Sequence, residues 1–197
     1  MYPKGNNIYR ILALFRGDYS LRLYLREISR LANLSLKSTH KALSFLESKR
    51  ILKSSFEGRN KYFSINLENI HTKHYVQRTE IFMSSLFLEE YPEFKIFFKS
   101  VLSNSPIILF GSFAKFNAYK DSDIDLLIIT NKEDIINTEL LPNPPHIIEM
   151  NEKTFFKALN KHEELIKEIQ ENHIIINNHS FFVNAFWAYY EKEKKYK

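Results

Sequence analysis

The sequence predicts an α+β protein made of two modules, and three observations lead there. Residues 1–70 hold 13 Lys and Arg against 5 Asp and Glu, a net of +8; the whole 197-residue chain is +5, which leaves −3 for residues 71–197. The basic stretch contains three helical apolar patterns followed by two strand-like runs around a Gly-containing turn. Residues 106–129 then read as an apolar strand, a Gly-Ser turn, a short helix and a second apolar strand that opens on acids. A basic front half joined to a mildly acidic back half gives the front module an affinity for polyanions.

Composition narrows the class. An apolar share of 44% with 17 Phe is enough for a packed core, and no apolar run approaches the ~20 residues that span a bilayer. Zero Cys removes disulfides, thiolate zinc sites and a thiol nucleophile. No apolar leader follows Met1-Tyr2-Pro3-Lys4-Gly5, so a cytoplasmic protein without membrane contact is expected.

In chain order, Asn7–Arg16 places Ile8, Ile11, Leu12 and Phe15 at helical spacing, and Gly17-Asp18 ends that helix. Leu23–Leu31 is a second helix, with Leu25, Ile28 and Leu31 inward and Arg22, Arg26 and Arg30 outward. After the turn Ala32-Asn33-Leu34, Ser35 N-caps a third helix, Leu36–Ser48, whose apolar stripe is Thr39, Ala42, Leu43 and Leu46. The runs 51–56 and 61–65 are strands, and Glu57-Gly58-Arg59-Asn60 joins them as a hairpin.

Two helices across a short turn and then a hairpin, with the run Leu25-Arg-Glu-Ile-Ser-Arg-Leu-Ala-Asn-Leu-Ser-Leu-Lys-Ser-Thr-His-Lys-Ala-Leu, resemble a winged helix-turn-helix domain over residues 8–67. The resemblance implies binding of double-stranded DNA. The third helix would enter the major groove with Lys37, Ser38, His40 and Lys41 outward, and Arg59 and Lys61 would lie at the wing.

Residues 71–90 form a linking helix. Its Tyr75, Ile81, Phe82, Met83, Leu86 and Phe87, together with the aromatic stripe of 181–190, offer apolar surface that predicts a homodimer. His71 and His74 stand three apart on this helix with no third ligand in view and read as solvent-exposed. Pro92 opens a helix running to Leu102.

The stretch from Pro106 to Ile129 carries the chemistry. Pro106–Phe110 is a buried strand, Gly111-Ser112 turns the chain into a short helix over 113–117, and Ser122–Ile129 returns as a strand. A period of two puts Asp123 and Asp125 on one strand face, roughly 7 Å apart along the backbone. Two carboxylates at the mouth of an apolar strand call for a cation, and a divalent metal would serve. The turn ahead of them leads into a helix start, where free N–H groups favour phosphate. Together they equip the chain to handle a nucleoside triphosphate.

Gly111-Ser112, ten residues, then Asp123-Ile124-Asp125 resembles the signature of the DNA polymerase β-type nucleotidyltransferases. Gly111-Ser112-Phe113-Ala114-Lys115 and Ser122-Asp123-Ile124-Asp125-Leu126 look most like its minimal branch, with Phe116 where that branch has Gly. The resemblance, over roughly residues 95–160, implies that Asp123 and Asp125 hold Mg²⁺ and that a third carboxylate comes from the strand at 146–150, where Glu149 is the best match. That set would make a two-metal site. Gly111 and Ser112 would cradle the β/γ-phosphates, with Lys115 and Lys120 as counter-charges.

Residues 131–145 read as a loop around a short helix, and helices at 151–159 and 163–170, a strand at 173–176 and an aromatic C-terminal helix complete the chain. The fold class expected is therefore α+β: a winged helix-turn-helix (1–70), a linking helix (71–91) and a polymerase β-like nucleotidyltransferase domain with a small mixed sheet flanked by helices (92–197). The function expected is a DNA-binding transcriptional regulator whose Mg²⁺-dependent domain transfers a nucleoside monophosphate from an NTP to a hydroxyl. Two alternatives stand beside it: an antitoxin-like enzyme adenylylating a partner protein, and a catalytically idle DNA-binding dimer.

Overall fold

A computed structural model describes residues 6–101, 104–130 and 136–195. By internal contacts the chain divides into two units, Met1–Phe82 with Tyr190–Lys197, and Met83–Tyr189.

In the first unit α1 (Asn7–Leu12) is N-capped by the Asn6 side chain and tightens into one 3₁₀ turn at Ala13–Phe15. β1 (Leu23–Tyr24), α2 (Leu25–Leu31), α3 (Leu36–Ser48), β2 (Leu52–Glu57) and β3 (Asn60–Ile65) follow. The strands form an antiparallel sheet of order β1-β3-β2. Ser35 caps α3 by accepting the Ser38 N–H, and the buried residues of α3 are the predicted four, Thr39, Ala42, Leu43 and Leu46. With Ile11, Phe15, Ile28 and Ile65 they form an apolar interior.

Two expectations are corrected here. Leu23 and Tyr24 are a strand rather than the first turn of a helix, because they pair with Phe63 and Tyr62. Leu31 is 42% exposed rather than inward, since it ends α2 just before the chain turns away.

α4 (Ile70–Glu90) carries the chain from the first unit into the second. There a 3₁₀ turn (Pro92–Phe94) precedes α5 (Lys95–Ser100), β4 (Ile107–Phe110), α6 (Gly111–Ala114) and β5 (Ile124–Ile129). After a 3₁₀ turn at Thr138–Leu140 come β6 (Pro145–Met150), α7 (Glu152–Lys161), α8 (Glu164–Glu171), β7 (Ile174–Asn177) and α9 (His179–Lys195). The expected end of the helix at Leu102 and part of the loop after the acidic strand lie outside the described residues.

The sheet is mixed, of order β6-β5-β4-β7: β5 runs parallel to β6, and the other neighbours are antiparallel. All four residues of β4 and all of β5 but Asp125 are buried, as a sheet covered on both faces requires. Of the apolar residues that suggested a second subunit, Met83, Leu86, Phe87, Phe182, Phe186, Trp187 and Tyr189 are buried, while Ile81 is 49% exposed. Among the described residues no helix is long and apolar enough to cross a membrane.

Candidate functional site

The site in the second unit begins where β4 ends. Gly111 has φ +71, a backbone conformation that side chains rarely adopt. A Cβ placed on it would lie 2.2 Å from Asp125 Oδ2. Phe110 and Asp125 are directly paired across β4 and β5, so the Asp125 carboxylate lies against the bare glycine of the turn. Gly111 thus serves two needs, a left-handed turn and room for an acid.

The segment between turn and acids is held by its own backbone and by aromatic rings. Lys115 N–H and Asn117 N–H donate to Gly111 and Ser112 carbonyls, and Tyr119 N–H donates to Ser122 Oγ at 2.8 Å. Phe116 takes φ +56, so the position at which Gly was expected keeps the left-handed backbone although it carries a large side chain. Its ring meets Phe87 and Tyr91, and Phe113 packs on Tyr91 and Phe94 with centroids 5.2 and 5.1 Å apart. These contacts hold Phe116 in the strained region. Burial pushes the Tyr91 phenol above its ordinary range, and a hydrogen bond with the Ala118 backbone opposes that rise. The Asn143 side-chain amide donates to the carbonyls of Lys120 and Ser122 at 2.8 and 2.9 Å, fixing the approach to Asp123.

Gly111, Ser112, Lys115, Asp123 and Asp125 line one open cleft of about 540 Å³, together with Asn117, Asp121, Ser122 and Glu168. That volume suits a nucleotide-sized ligand. Lys115 Nζ sits 3.1 Å from the Glu168 carboxylate of α8, so this cation is already engaged across the cleft. Lys120 is exposed and does not line the cleft.

Glu149 is not brought to the acid pair. In the parallel register of β5 and β6 it stands beside Ile128, whereas Asp125 stands beside His146. Residues in register share a face and their chain neighbours point to the other, so Glu149 is turned to the opposite side. His146 Nδ1 lies 3.2 Å from Asp125 Oδ1. Of the expected carboxylates, Asp123 and Asp125 meet at the cleft, a pair whose chemistry suits one divalent ion. The third carboxylate, expected from β6 to complete a two-metal site, is not among them. Among the described residues no group of three His, Asp or Glu side chains is preassembled around an ion position.

His146, Asn143, Asp121 and Glu168 were missed in the sequence. His146 had a readable signal, a polar residue at the mouth of an apolar strand in the manner of Asp125. Asn143 and Glu168 enter the site by tertiary approach alone.

In the first unit Lys37, His40 and Lys41 are exposed on α3, and Ser38 is half-buried against the cap. Arg59 is exposed in the two-residue turn that opens on Gly58, φ +58. Lys61, expected at the wing, has its Nζ 2.8 Å from Glu47 of α3 and so ties the hairpin to that helix. Arg22 reaches Ser55 and Glu57 and lies over the Tyr62 ring. Arg10 is buried and donates to the Ala32 and Asn33 carbonyls at 2.6 and 3.2 Å, holding the turn between α2 and α3 where Asn33 has φ +51. Arg16 is half-buried against the buried Glu80, two guanidinium nitrogens meeting one carboxylate oxygen at 2.9 and 2.6 Å.

Residues 96–181 match the family model described as Polymerase beta, Nucleotidyltransferase, which supports a nucleotidyltransferase domain over that span. No curated protein and no solved structure matches the chain.

Proposed function

We propose that this chain is a metal-dependent nucleotidyltransferase whose basic first unit binds double-stranded DNA. The observation behind the enzymatic half is the meeting of Gly111, Ser112, Asp123 and Asp125 around one cleft, inside the segment that matches the family model. In this reading Gly111 and Ser112 receive the β/γ-phosphates of a nucleoside triphosphate, Lys115 supplies positive charge, and Asp123 and Asp125 hold a divalent ion. When bound, that ion polarises the phosphates and neutralises charge on the leaving pyrophosphate. The acid pair positions the triphosphate for in-line attack by a hydroxyl, and the product is a nucleoside monophosphate ester.

Support for the DNA-binding half is the arrangement of a capped, outward-facing basic helix beside a two-stranded hairpin with an exposed Arg59 at its tip. Lys37, Ser38, His40 and Lys41 would face the major groove and Arg59 the adjoining backbone.

A thermal-shift titration with ATP, CTP, GTP and UTP, with and without divalent ion, tests the enzymatic half. A ligand that binds only the folded state raises its melting temperature by an amount that grows with concentration. A metal-dependent rise with at least one nucleotide is expected, and Asp123→Asn with Asp125→Asn should abolish its metal-dependent part. Wild type showing no metal-dependent shift with any of the four would sink the reading.

A further inference from the structure

We propose that His146 is the β6 donor to the divalent-ion site, and that the site therefore selects a first-row transition ion such as Mn²⁺ over Mg²⁺. The proposal rests on the nucleotidyltransferase reading and concerns which ion that site takes. The starting point is the strand register. β6 runs Pro145-His146-Ile147-Ile148-Glu149-Met150, and only His146 stands level with Asp125 on the face that bears the acids. The one carboxylate on this strand, Glu149, is three residues further along and on the other face. Any ligand supplied by β6 to an ion at Asp125 is therefore an imidazole.

The side chains agree with the register. Asp125 Oδ2 is packed against Gly111, which fixes the carboxylate's orientation and directs Oδ1 to His146 Nδ1, 3.2 Å away. The His146 side chain is 66% exposed and, among the described residues, its one hydrogen-bond partner is Asp125, so its ring can share an ion with that carboxylate. Asp123 is also exposed, so the donors would gather on the ion rather than wait preassembled.

The choice of ion follows from donor chemistry. Mg²⁺ is hard, prefers oxygen and gives up its water reluctantly. Imidazole nitrogen suits the transition ions, and affinity for such donors rises from Mn²⁺ through the first row. Replacing a carboxylate with an imidazole removes a negative charge that Mg²⁺ needs and supplies a nitrogen that Mn²⁺ accepts. Preference should move accordingly.

The test uses the full chain loaded with Mn²⁺ and read by pulsed electron paramagnetic resonance, with Mg²⁺ competition measured in parallel. A ¹⁴N coupling to the bound ion is expected in wild type, and it should vanish in His146→Ala. The ratio of Mn²⁺ to Mg²⁺ affinity should fall by at least about tenfold in that variant, a loss typical of removing a metal-site partner. His146→Asp should abolish the coupling and strengthen Mg²⁺ binding, and Glu149→Ala should change neither. His71 and His74 are exposed with ring centroids 6.4 Å apart, so the measurement is repeated in the double variant His71→Ala with His74→Ala. A coupling that survives His146→Ala but disappears in that double variant overturns the proposal. Mn²⁺ bound through Asp123 and Asp125 with no ¹⁴N coupling overturns it while leaving the nucleotidyltransferase reading intact. If neither ion binds in a way that depends on the two acids, both fall together.

Discussion

Gly111→Ala tests the glycine–carboxylate contact that shapes the cleft. The new methyl faces two costs. At φ +71 an L-residue occupies the left-handed region, worth about 1–2 kcal/mol. Its Cβ would also lie 2.2 Å from Asp125 Oδ2, so the carboxylate must withdraw by 1.2 Å to reach an ordinary 3.4 Å contact. Forcing that side chain off its rotamer adds roughly 0.5–1.5 kcal/mol. The expected total is about 1.5–3.5 kcal/mol, which for a chain of this size lowers the melting temperature by roughly 3–14 °C. On the proposed reading, in which Asp125 holds the ion, divalent-ion affinity should fall with it. The decisive assay is a double-mutant cycle with Asp125→Ala by urea denaturation. With the carboxylate gone, the nearest atom to the methyl is residue 125 Cβ at 3.4 Å, so only the backbone cost remains. A coupling of at least about 0.5 kcal/mol is expected. If Gly111→Ala costs the same in both backgrounds, the carboxylate is not what requires the glycine.

Three further outcomes follow from contacts described above. Glu168→Gln releases Lys115 and removes a negative charge from the cleft; since the exposed pair is worth about 0.2–1 kcal/mol, triphosphate affinity should rise by up to about fivefold in a fluorescent-nucleotide titration. A weaker affinity would show that Glu168 helps hold the ligand instead. Glu80→Ala removes a buried carboxylate from the largely covered Arg16 guanidinium and should cost up to about 3–5 kcal/mol by calorimetry, whereas an apolar replacement of both residues should cost much less. Hydrogen bonds from Lys61 and then Ser54 hold the Glu47 carboxyl below its ordinary 4.5, so its contribution is present above that pH and lost as pH falls through the lowered value. Glu47→Gln should accordingly flatten the acid side of the stability–pH curve, and an unchanged slope would discount the pair.

Where local chemistry decides structure, the sequence was readable. The α3 stripe is set by a 3.6-residue period and a Ser cap, both of which lie within the chain's own turn of helix. The buried strands around Gly111 are bulky, short and punctuated, and they form where expected. Leu23 and Tyr24 were misread because a two-residue strand has no period of its own and exists only by pairing with β3. Glu149 was misplaced for a related reason. Choosing between neighbours on β6 requires the parallel register with β5, and one residue's difference decides which side chain meets Asp125. Lys61 shows a third limit, since a cation's partner is found by approach in space and not by its position on a hairpin.

The inward-turned arginines change what the basic charge of the first unit is worth. Protein binding to duplex DNA releases condensed counterions, and the logarithm of affinity falls against the logarithm of salt with a slope of about −0.9 for each phosphate neutralised. A net of +8 over residues 1–70 would suggest a slope near −7. Arg10 and Arg16 are committed to carbonyls and a carboxylate inside the fold, and Lys61 and Arg22 to acids on its surface. If Lys37, Lys41 and Arg59 carry the contacts, the measured slope should lie closer to about −3, so that any complex with DNA tolerates salt better than the composition implies.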